Sequence, residues 1–378
     1  MSSYKSNLNP MFRSKFSEDI FNHKYKHEGA ETWSALAKTL IDDVCGEILT
    51  DEECDQLTEY VRDMKFIPGG RYLYYAGRPN KFFNNCYLLK AEEDSREDWA
   101  NLSWKAESCL MTGGGIGVDY SVYRPSGAPI NKTGGQASGP IPKMNMLNEI
   151  GRRVMQGGSR RSAIYASLNW KHRDIHEFLS AKDWANMPVG TTGKSLWDIK
   201  QDDFNFPAPL DMTNISVNYD TEWLLNYYRT GNIGSTFLKN VEQAMRTAEP
   251  GFSFNFFDKE NETLRNACTE VTSADDSDVC NLGSINMGRV KDIHEMADVV
   301  ELATKFLICG TLRAQLPYEK VYETREKNRR LGLGLMGMHE WLIQRESKYE
   351  VTPTLHAWLS VYKGVSDKVS KETADQLG

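Results

Sequence analysis

Hydrophobic residues follow a helical spacing between residues 15 and 65, and a mixed pattern after that. Ile41, Val44 and Ile48 succeed one another at intervals of three and four, as on the buried face of a helix. From about Tyr72, short apolar runs of strand length alternate with amphipathic segments. The pattern predicts a helical region over residues 1–70 and an α/β domain over residues 71–378.

The α/β part contains several strand-length apolar runs with helical segments between them. The predicted strands are Cys86–Leu89, Gly117–Tyr123, Ala163–Leu168, Ile215–Asn218 and Phe252–Phe256. The predicted helices are Trp99–Met111, Met144–Met155, Ile175–Ala181, Thr236–Arg246 and Ile293–Leu312. Strand–helix alternation of this kind favours a parallel sheet or barrel with helices outside it.

Composition and charge narrow the range of functions. The net charge of −7 argues against a general nucleic-acid-binding protein, although local basic clusters can still hold phosphates. The apolar stretch Val299–Leu312 is shorter than the ~20 residues that span a bilayer, and no signal peptide is evident. A cytoplasmic protein without a membrane partner is therefore expected. Its seven cysteines form no C-x-x-C pair, so no metal site is predicted, and any disulfide should be transient and catalytic.

The run Asn266-Ala267-Cys268-Thr269-Glu270 places a thiol between an amide and a carboxylate. In an extended segment, alternate side chains face the same way, so Asn266, Cys268 and Glu270 can address one substrate. A cysteine can act as nucleophile or radical carrier, a glutamate as general base, and an asparagine as a ligand for hydroxyls. From spacing alone, a buried cysteine beside two polar loop residues is the alternative.

Together with two other segments, this run resembles the active-site signature of the ribonucleotide reductases. Segments 84–89 (Asn-Asn-Cys-Tyr-Leu-Leu) and 279–284 (Val-Cys-Asn-Leu-Gly-Ser) are similar to the two strands that carry that family's redox cysteines, here Cys86 and Cys280. In isolation, these two would be interpreted as unrelated core thiols. The resemblance implies a ten-stranded α/β barrel, incomplete at its C-terminal end, with Cys268 on a loop through its centre.

The resemblance also implies a reaction, the reduction of ribonucleotides to 2′-deoxyribonucleotides for DNA synthesis. A thiyl radical on Cys268 would abstract the 3′ hydrogen, while Glu270 accepts the 3′-hydroxyl proton and Asn266 holds the ribose hydroxyls. Cys86 and Cys280 would deliver two electrons and become a disulfide, which a thioredoxin-like protein or another dithiol reduces.

Glycine-rich segments resemble the family's nucleotide-contacting loops. The run Thr112–Gly117 is similar to the loop that approaches the substrate ribose, and the expected substrate-binding residues are Asn85, Gly114 and Gly115; a tight helix-to-strand turn is the alternative. Two loops around residues 133–140 and 156–163 resemble those that sense a deoxynucleoside triphosphate effector, and glycine backbone with arginine suits a polyphosphate. The expected effector-binding residues are Asp94, Ser95, Lys132, Arg160 and Arg161. Alternatively, the nearby Arg152 and Arg153 simply complement the negative end of their helix.

The segment from Arg329 to Leu342 bears on how the radical is generated. Its residues resemble the corresponding segment of the adenosylcobalamin-dependent class of ribonucleotide reductases, so adenosylcobalamin is the expected cofactor. The alternative is the class of reductases that a separate radical-generating subunit serves. Gly332-x-Gly334-x-x-Gly337 also matches a dinucleotide-binding pattern, but no companion βαβ unit follows it.

The resemblance predicts further barrel strands and a substrate-phosphate loop that have no counterpart before Gly378. A C-terminal fragment of the same enzyme, or a longer sequence, is therefore expected to complete the barrel, and a homodimer is one expected assembly. A non-catalytic nucleotide-binding fragment is the alternative from a different functional class. The neighbouring reading frame distinguishes these possibilities, according to whether it encodes the remaining strands.

Overall fold

The computed structural model describes residue 12 and residues 14–131, 134–154 and 162–377. The chain forms two compact units. The first runs to Asn85 and also includes Cys280–Leu316 and the chain from Arg325 onwards, and the second comprises Cys86–Val279 and Pro317–Thr324. Within the described ranges, no helix is both long enough and apolar enough to cross a lipid bilayer.

The helices and strands of the described residues follow one another along the chain. The helices are α1 (Lys15–Lys24), α2 (Trp33–Cys45), α3 (Asp51–Arg62), α4 (Gly70–Tyr75), α5 (Arg96–Met111), α6 (Pro140–Arg153), α7 (Ile175–Ser180), α8 (Leu196–Asp202), α9 (Thr221–Thr230), α10 (Ser235–Thr247), α11 (Ile293–Arg313), α12 (Glu319–Asn328), α13 (Met338–Gln344) and α14 (Pro353–Leu377). The strands are β1 (Phe66–Pro68), β2 (Cys86–Lys90), β3 (Gly115–Asp119), β4 (Ile164–Asn169), β5 (Thr213–Tyr219), β6 (Gly251–Phe254), β7 (Leu264–Arg265), β8 (Thr272–Ser273), β9 (Asp278–Asn286) and β10 (Leu331–Met336).

The second unit is built on a parallel sheet in the order β2-β3-β4-β5-β6. Strands β2 to β5 are almost wholly buried, with Leu88, Val118 and Val217 inaccessible to solvent, whereas β6 is partly exposed. Continuous burial of this kind is typical of parallel strands that are covered on both faces. The strand–helix alternation predicted from the sequence is confirmed.

Strand β3 differs from its predicted bounds because it begins at Gly115 rather than at Gly117 and ends at Asp119 rather than at Tyr123. At its start, Gly115 is paired with Cys86 of β2. At its end, the Asp119 carboxylate accepts the backbone N–H of Ser121 at 3.0 Å. That local hydrogen bond favours a turn over a continued strand.

The first unit contains the predicted N-terminal helices and a smaller sheet. Helices α2 and α3 pack on α11, and side chains such as Ile41, Val44 and Phe306 are fully buried. Strand β9 pairs antiparallel with β1 and parallel with β10. Because the glycines of the apparent dinucleotide motif lie in or beside strand β10, that run is a barrel-type strand rather than a phosphate-binding loop.

The ten-stranded barrel is present only in part. Five parallel strands lie in the second unit, β1, β9 and β10 pair in the first, and β7 and β8 form a short hairpin. After β10 the described chain continues as α13 and α14. The expectation of a ten-stranded barrel is therefore corrected to an α/β fold that contains a part of it.

Candidate active site

The Asn-x-Cys-x-Glu motif occupies the tip of the β7–β8 hairpin in the second unit. Arg265 pairs with Thr272 at the base of the hairpin, and residues 266–271 form its tip. The backbone N–H of Thr269 donates to the Asn266 carbonyl at 3.0 Å, and Thr269 has a φ of 69°. The motif is thus a turn and not the extended segment that was expected from the alternate positions of Asn266, Cys268 and Glu270.

Two glycines of β3 allow this hairpin to lie directly on the sheet. A Cβ atom on Gly117 would lie 1.7 Å from the carbonyl oxygen of Arg265. That distance is a steric clash for every residue other than glycine. A Cβ atom on Gly115 would lie 3.0 Å from the Ala163 carbonyl and 3.1 Å from the Ala267 Cβ. The glycine run after α5 therefore provides room for the hairpin backbone.

Asn266 is completely buried and joins the tip to β2. Its Nδ2 donates to the Cys86 Sγ at 3.3 Å, and its Oδ1 accepts the N–H of Val271 at 3.2 Å. One side chain therefore connects a predicted redox thiol to the turn that carries Cys268. The predicted binding of ribose hydroxyls by Asn266 stays a prediction.

The remaining side chains of the second-unit site differ in exposure. Cys268 and Glu270 are exposed at the tip, whereas Cys86 is 4% exposed at the start of β2. Gly114 and Gly115 are buried, and the Gly114 N–H donates to the Thr112 hydroxyl at 3.4 Å. The hairpin presents a thiol and a carboxylate to solvent while holding a second thiol beneath it.

The first unit carries the other predicted redox cysteine. Cys280 is buried in β9, and its carbonyl accepts the backbone N–H of Asn85 at 3.3 Å. The Asn85 side chain is also buried and lies close to Gly69. All seven cysteines are thiols in this structure, so the Cys86–Cys280 disulfide and the contact of Asn85 with substrate stay predictions.

The predicted effector residues are only partly described. Asp94 accepts from the Arg124 Nε at 2.5 Å, and both side chains are about one-third exposed (34% and 36%). The Ser95 hydroxyl caps α5 by accepting the Asp98 N–H at 3.1 Å. Ser95 therefore has a structural role whether or not an effector binds. The other predicted effector residues, Lys132, Arg160 and Arg161, lie outside the described residues.

Two side chains that contact the hairpin were not predicted from the sequence. Asn214, at the start of β5, donates from Nδ2 to the Ala267 carbonyl at 3.1 Å. Arg265 extends from the base of the hairpin to the end of β6, where its Nε donates to the Ser253 hydroxyl at 3.0 Å. The only available signal was a charged residue directly before the motif, and nothing in the sequence distinguishes Asn214.

Comparisons with known proteins identify the family to which this chain belongs. A family model described as ribonucleotide reductase, barrel domain, matches residues 84–197 and 222–358. The vitamin B12-dependent ribonucleoside-diphosphate reductase of Thermoplasma acidophilum is 27% identical, and the match covers 86% of this chain and 44% of that protein. The protein of the same name from Mycobacterium tuberculosis (strain CDC 1551 / Oshkosh) is 27% identical over 76% of this chain and 42% of its own length. The ribonucleoside-diphosphate reductase subunit alpha of Synechocystis is 23% identical over 72% and 40%.

A solved structure shares the fold. The class Id ribonucleotide reductase alpha subunit of Actinobacillus ureae superposes with a TM-score of 0.77 over 98% of this chain and 70% of that one, at 17% sequence identity. The chain spans less than half the length of the curated relatives it matches. Because the barrel-domain model matches more than half of its residues, this chain belongs to the ribonucleotide reductase family.

Proposed function

We propose that this chain supplies catalytic thiols and a carboxylate for the reduction of ribonucleotides to 2′-deoxyribonucleotides. The observation that carries the proposal is the hairpin tip, where Cys268 and Glu270 are exposed and Asn266 is hydrogen-bonded to Cys86. A thiol and a base on one turn, with a second thiol held beneath it, is the set of groups that this radical chemistry needs.

In the proposed reaction, a thiyl radical on Cys268 takes the hydrogen atom from the 3′ carbon and returns it at the end. Glu270 accepts the 3′-hydroxyl proton, and the 2′ hydroxyl leaves as water with a proton from the cysteine pair. Cys86 and Cys280 give up two electrons and form a disulfide. One ribonucleotide and two thiols thus yield one deoxyribonucleotide, one water and one disulfide, which a thioredoxin-like protein or a small dithiol reduces.

The hydrogen bond from Asn266 to Cys86 suits the second part of this reaction. An N–H that donates to sulfur stabilises the negatively charged thiolate more than the thiol. The thiolate is the form that takes part in disulfide chemistry. Asn266 would therefore stabilise the negative charge that develops on the Cys86 sulfur as the leaving hydroxyl takes a proton from the cysteine pair.

The names of the relatives bear on the source of the radical. Two of the relatives are named vitamin B12-dependent, and another is named a subunit alpha. When bound, adenosylcobalamin supplies a radical by cleavage of its cobalt–carbon bond. Cys268 is the described residue that such a cofactor would face, and its exposed thiol fits a radical source from outside this chain.

Several partners belong to the proposal. We propose that a C-terminal polypeptide supplies further barrel strands, since the curated relatives are more than twice as long as the region they share with this chain. Deoxynucleoside triphosphates would bind near Asp94, and a second copy of the chain would form a homodimer. The alternative function, a nucleotide-binding fragment without catalysis, predicts effector binding but no turnover.

The test is an activity assay on this chain co-expressed with the polypeptide that completes the barrel. Cys268→Ser should abolish deoxyribonucleotide formation, and so should Cys86→Ser or Cys280→Ser, because each removes one of the two thiols that supply the electrons for a turnover. Cys54→Ser, which changes a buried thiol of α3, is the matched control and should leave the rate unchanged. Turnover that needs adenosylcobalamin supports that cofactor, whereas turnover that needs a protein radical subunit supports the other class. Undiminished turnover by Cys268→Ser would refute the proposal.

A further inference from the structure

We infer that Arg265 is a positioning residue, which orients the turn that carries Cys268 and Glu270 by anchoring it to the end of β6. Its effect on turnover rests on the function proposed above, but its effect on the geometry of the hairpin does not.

The Arg265 side chain is buried in the second unit, at 8% exposure. Its Nε donates to the Ser253 hydroxyl at 3.0 Å, and its Nη2 donates to the Asn255 side-chain oxygen at 2.9 Å. Nη2 also approaches the Phe254 carbonyl at 3.4 Å. One guanidinium therefore contacts three consecutive residues at the carboxyl end of β6.

Burial of a guanidinium costs desolvation free energy that an apolar side chain does not cost. Burial lowers the pKa of the Arg265 guanidinium, and the opposing attraction to Tyr165 and to the Glu262 carboxylate does not offset it. An apolar side chain of similar length would avoid that desolvation cost. What Arg265 adds over an apolar residue is a set of directional hydrogen bonds, and these all point at β6.

Arg265 completes a set of three anchors around the turn. Asn266 ties it to Cys86 of β2, and the Ala267 carbonyl ties it to Asn214 of β5. The bonds of Arg265 to Ser253 and Asn255 hold it from β6. Three anchors on three different strands fix both the position and the orientation of the turn, as a reaction that is sensitive to displacements of about 1 Å requires.

The catalytic consequence is a change in kcat rather than in KM. In the completed enzyme, Arg265→Met should lower kcat by about tenfold to a hundredfold, because a misplaced thiol reacts slowly, while KM changes by less than about threefold. Arg265→Lys keeps one of the hydrogen bonds and should recover part of the loss. An unchanged kcat in Arg265→Met would overturn the inference.

A second measurement uses this chain by itself and needs no turnover. Each cysteine is alkylated with iodoacetamide, and its rate is followed by peptide mass spectrometry. In the unaltered chain, exposed Cys268 should react fast, and Cys86, beneath Asn266, slowly. Arg265→Met should raise the Cys86 rate by roughly fivefold or more through local opening of the hairpin, while buried Cys109 and Cys309 stay protected. An unchanged Cys86 rate contradicts the inference.

Smaller changes cover the case in which Arg265→Met unfolds and every thiol reacts. Ser253→Ala and Asn255→Ala each remove one acceptor, and at least one of them must raise the Cys86 rate without raising that of Cys109. If neither does, the inference is wrong. Arg246→Met is the matched control, since Arg246 contacts Asp183 and Glu242 and should leave Cys86 protected. If these labelling results hold but the completed enzyme reduces no ribonucleotide, the proposed function fails and the positioning role stands.

Discussion

At the scale of single residues, the three side chains of the motif have two different roles: one is buried and holds the turn, and two are exposed to solvent. Asn266 is buried and hydrogen-bonded at both ends of its amide, whereas Cys268 and Glu270 are exposed. The sequence predicted which residue types belong together, because their chemistry is complementary. It could not predict the different direction of Asn266, because residues 266–269 form a turn, in which the Thr269 N–H donates to the Asn266 carbonyl.

Substitution of Asn266 should therefore weaken the fold as well as the activity. Asn266→Ala removes two buried hydrogen bonds and should lower the free energy of unfolding by about 1–3 kcal/mol, measured by urea denaturation. Asn266→Asp keeps the acceptor for Val271 but loses the donor to Cys86 and buries a carboxylate, so it should be at least as destabilising as Asn266→Ala. Equal stability of Asn266→Ala and the unaltered chain would show that the turn does not depend on this amide.

Asp94 provides a second prediction at this scale. If its carboxylate binds the ribose of a deoxynucleoside triphosphate, Asp94→Ala should weaken effector binding by about 1–3 kcal/mol, measured by calorimetry. Arg124→Ala frees the same carboxylate from its ion pair and should not weaken binding in this way. Glu93→Ala, a change of the neighbouring exposed carboxylate, is the control. An Asp94→Ala chain with unaltered affinity would remove Asp94 from the effector site.

At the scale of elements, helices α5 and α6 show that apolar periodicity predicts a helix but does not predict a buried lysine on it. Both were predicted as amphipathic helices between strands, and Leu102, Met144 and Leu147 are buried. Lys143, next to Met144, is buried as well, with its Nζ against the Ser103 hydroxyl at 2.5 Å and the Trp99 carbonyl. A sequence pattern assigns lysine to the solvent side, because burial of an amine depends on groups from another helix.

Lys143 should make stability depend on pH. Burial lowers the pKa of its amine to about 8, below its usual 10.5. Below about pH 8 the amine is charged in both the folded and unfolded states, so the cost of burying that charge is fully present. As the pH rises from about 8 to 10.5, the folded protein loses the proton first and the cost disappears.

The expected result is that Lys143→Met is more stable than the unaltered chain at neutral pH, by on the order of 1–3 kcal/mol, and that the difference shrinks towards about pH 10. Urea denaturation across this pH range measures it. Lys239→Met, on α10, is the control for a change of lysine to methionine elsewhere. A stability difference that does not vary with pH would show that the Lys143 amine keeps its ordinary pKa.

At the scale of the whole molecule, the resemblance gave the architecture more reliably than the apolar pattern could. Each strand was visible as a local run, but the pairing of Ile164 with Thr213, or of Ser216 with Gly251, joins segments far apart in the chain. Such pairings depend on the fold as a whole. The same reason explains why the number of strands needed correction, since the expected ten strands came from the resemblance and not from apolar runs in this sequence.

Strand β6 leads to a prediction at this scale. Among the described strands it pairs only with β5, and Phe252 and Phe254 are 37% and 46% exposed. An open, apolar strand edge readily accepts another strand. If a C-terminal polypeptide completes the barrel here, the amides of residues 251–254 should exchange hydrogen with solvent at least about tenfold more slowly in its presence. Hydrogen-exchange mass spectrometry that shows no added protection would place that polypeptide elsewhere.

The contact between Gly117 and the Arg265 carbonyl also offers a way to sort sequences. A protein can retain the sequence Asn-x-Cys-x-Glu and yet be unable to pack the hairpin on the sheet. If the residue at the position of Gly117 is not glycine, its Cβ atom overlaps the hairpin backbone. The glycine is about 150 positions earlier in the chain, so a motif search that reads only the five letters ignores it. Database sequences with the motif and a larger residue at this position should be set apart as having lost this arrangement, whatever their overall similarity.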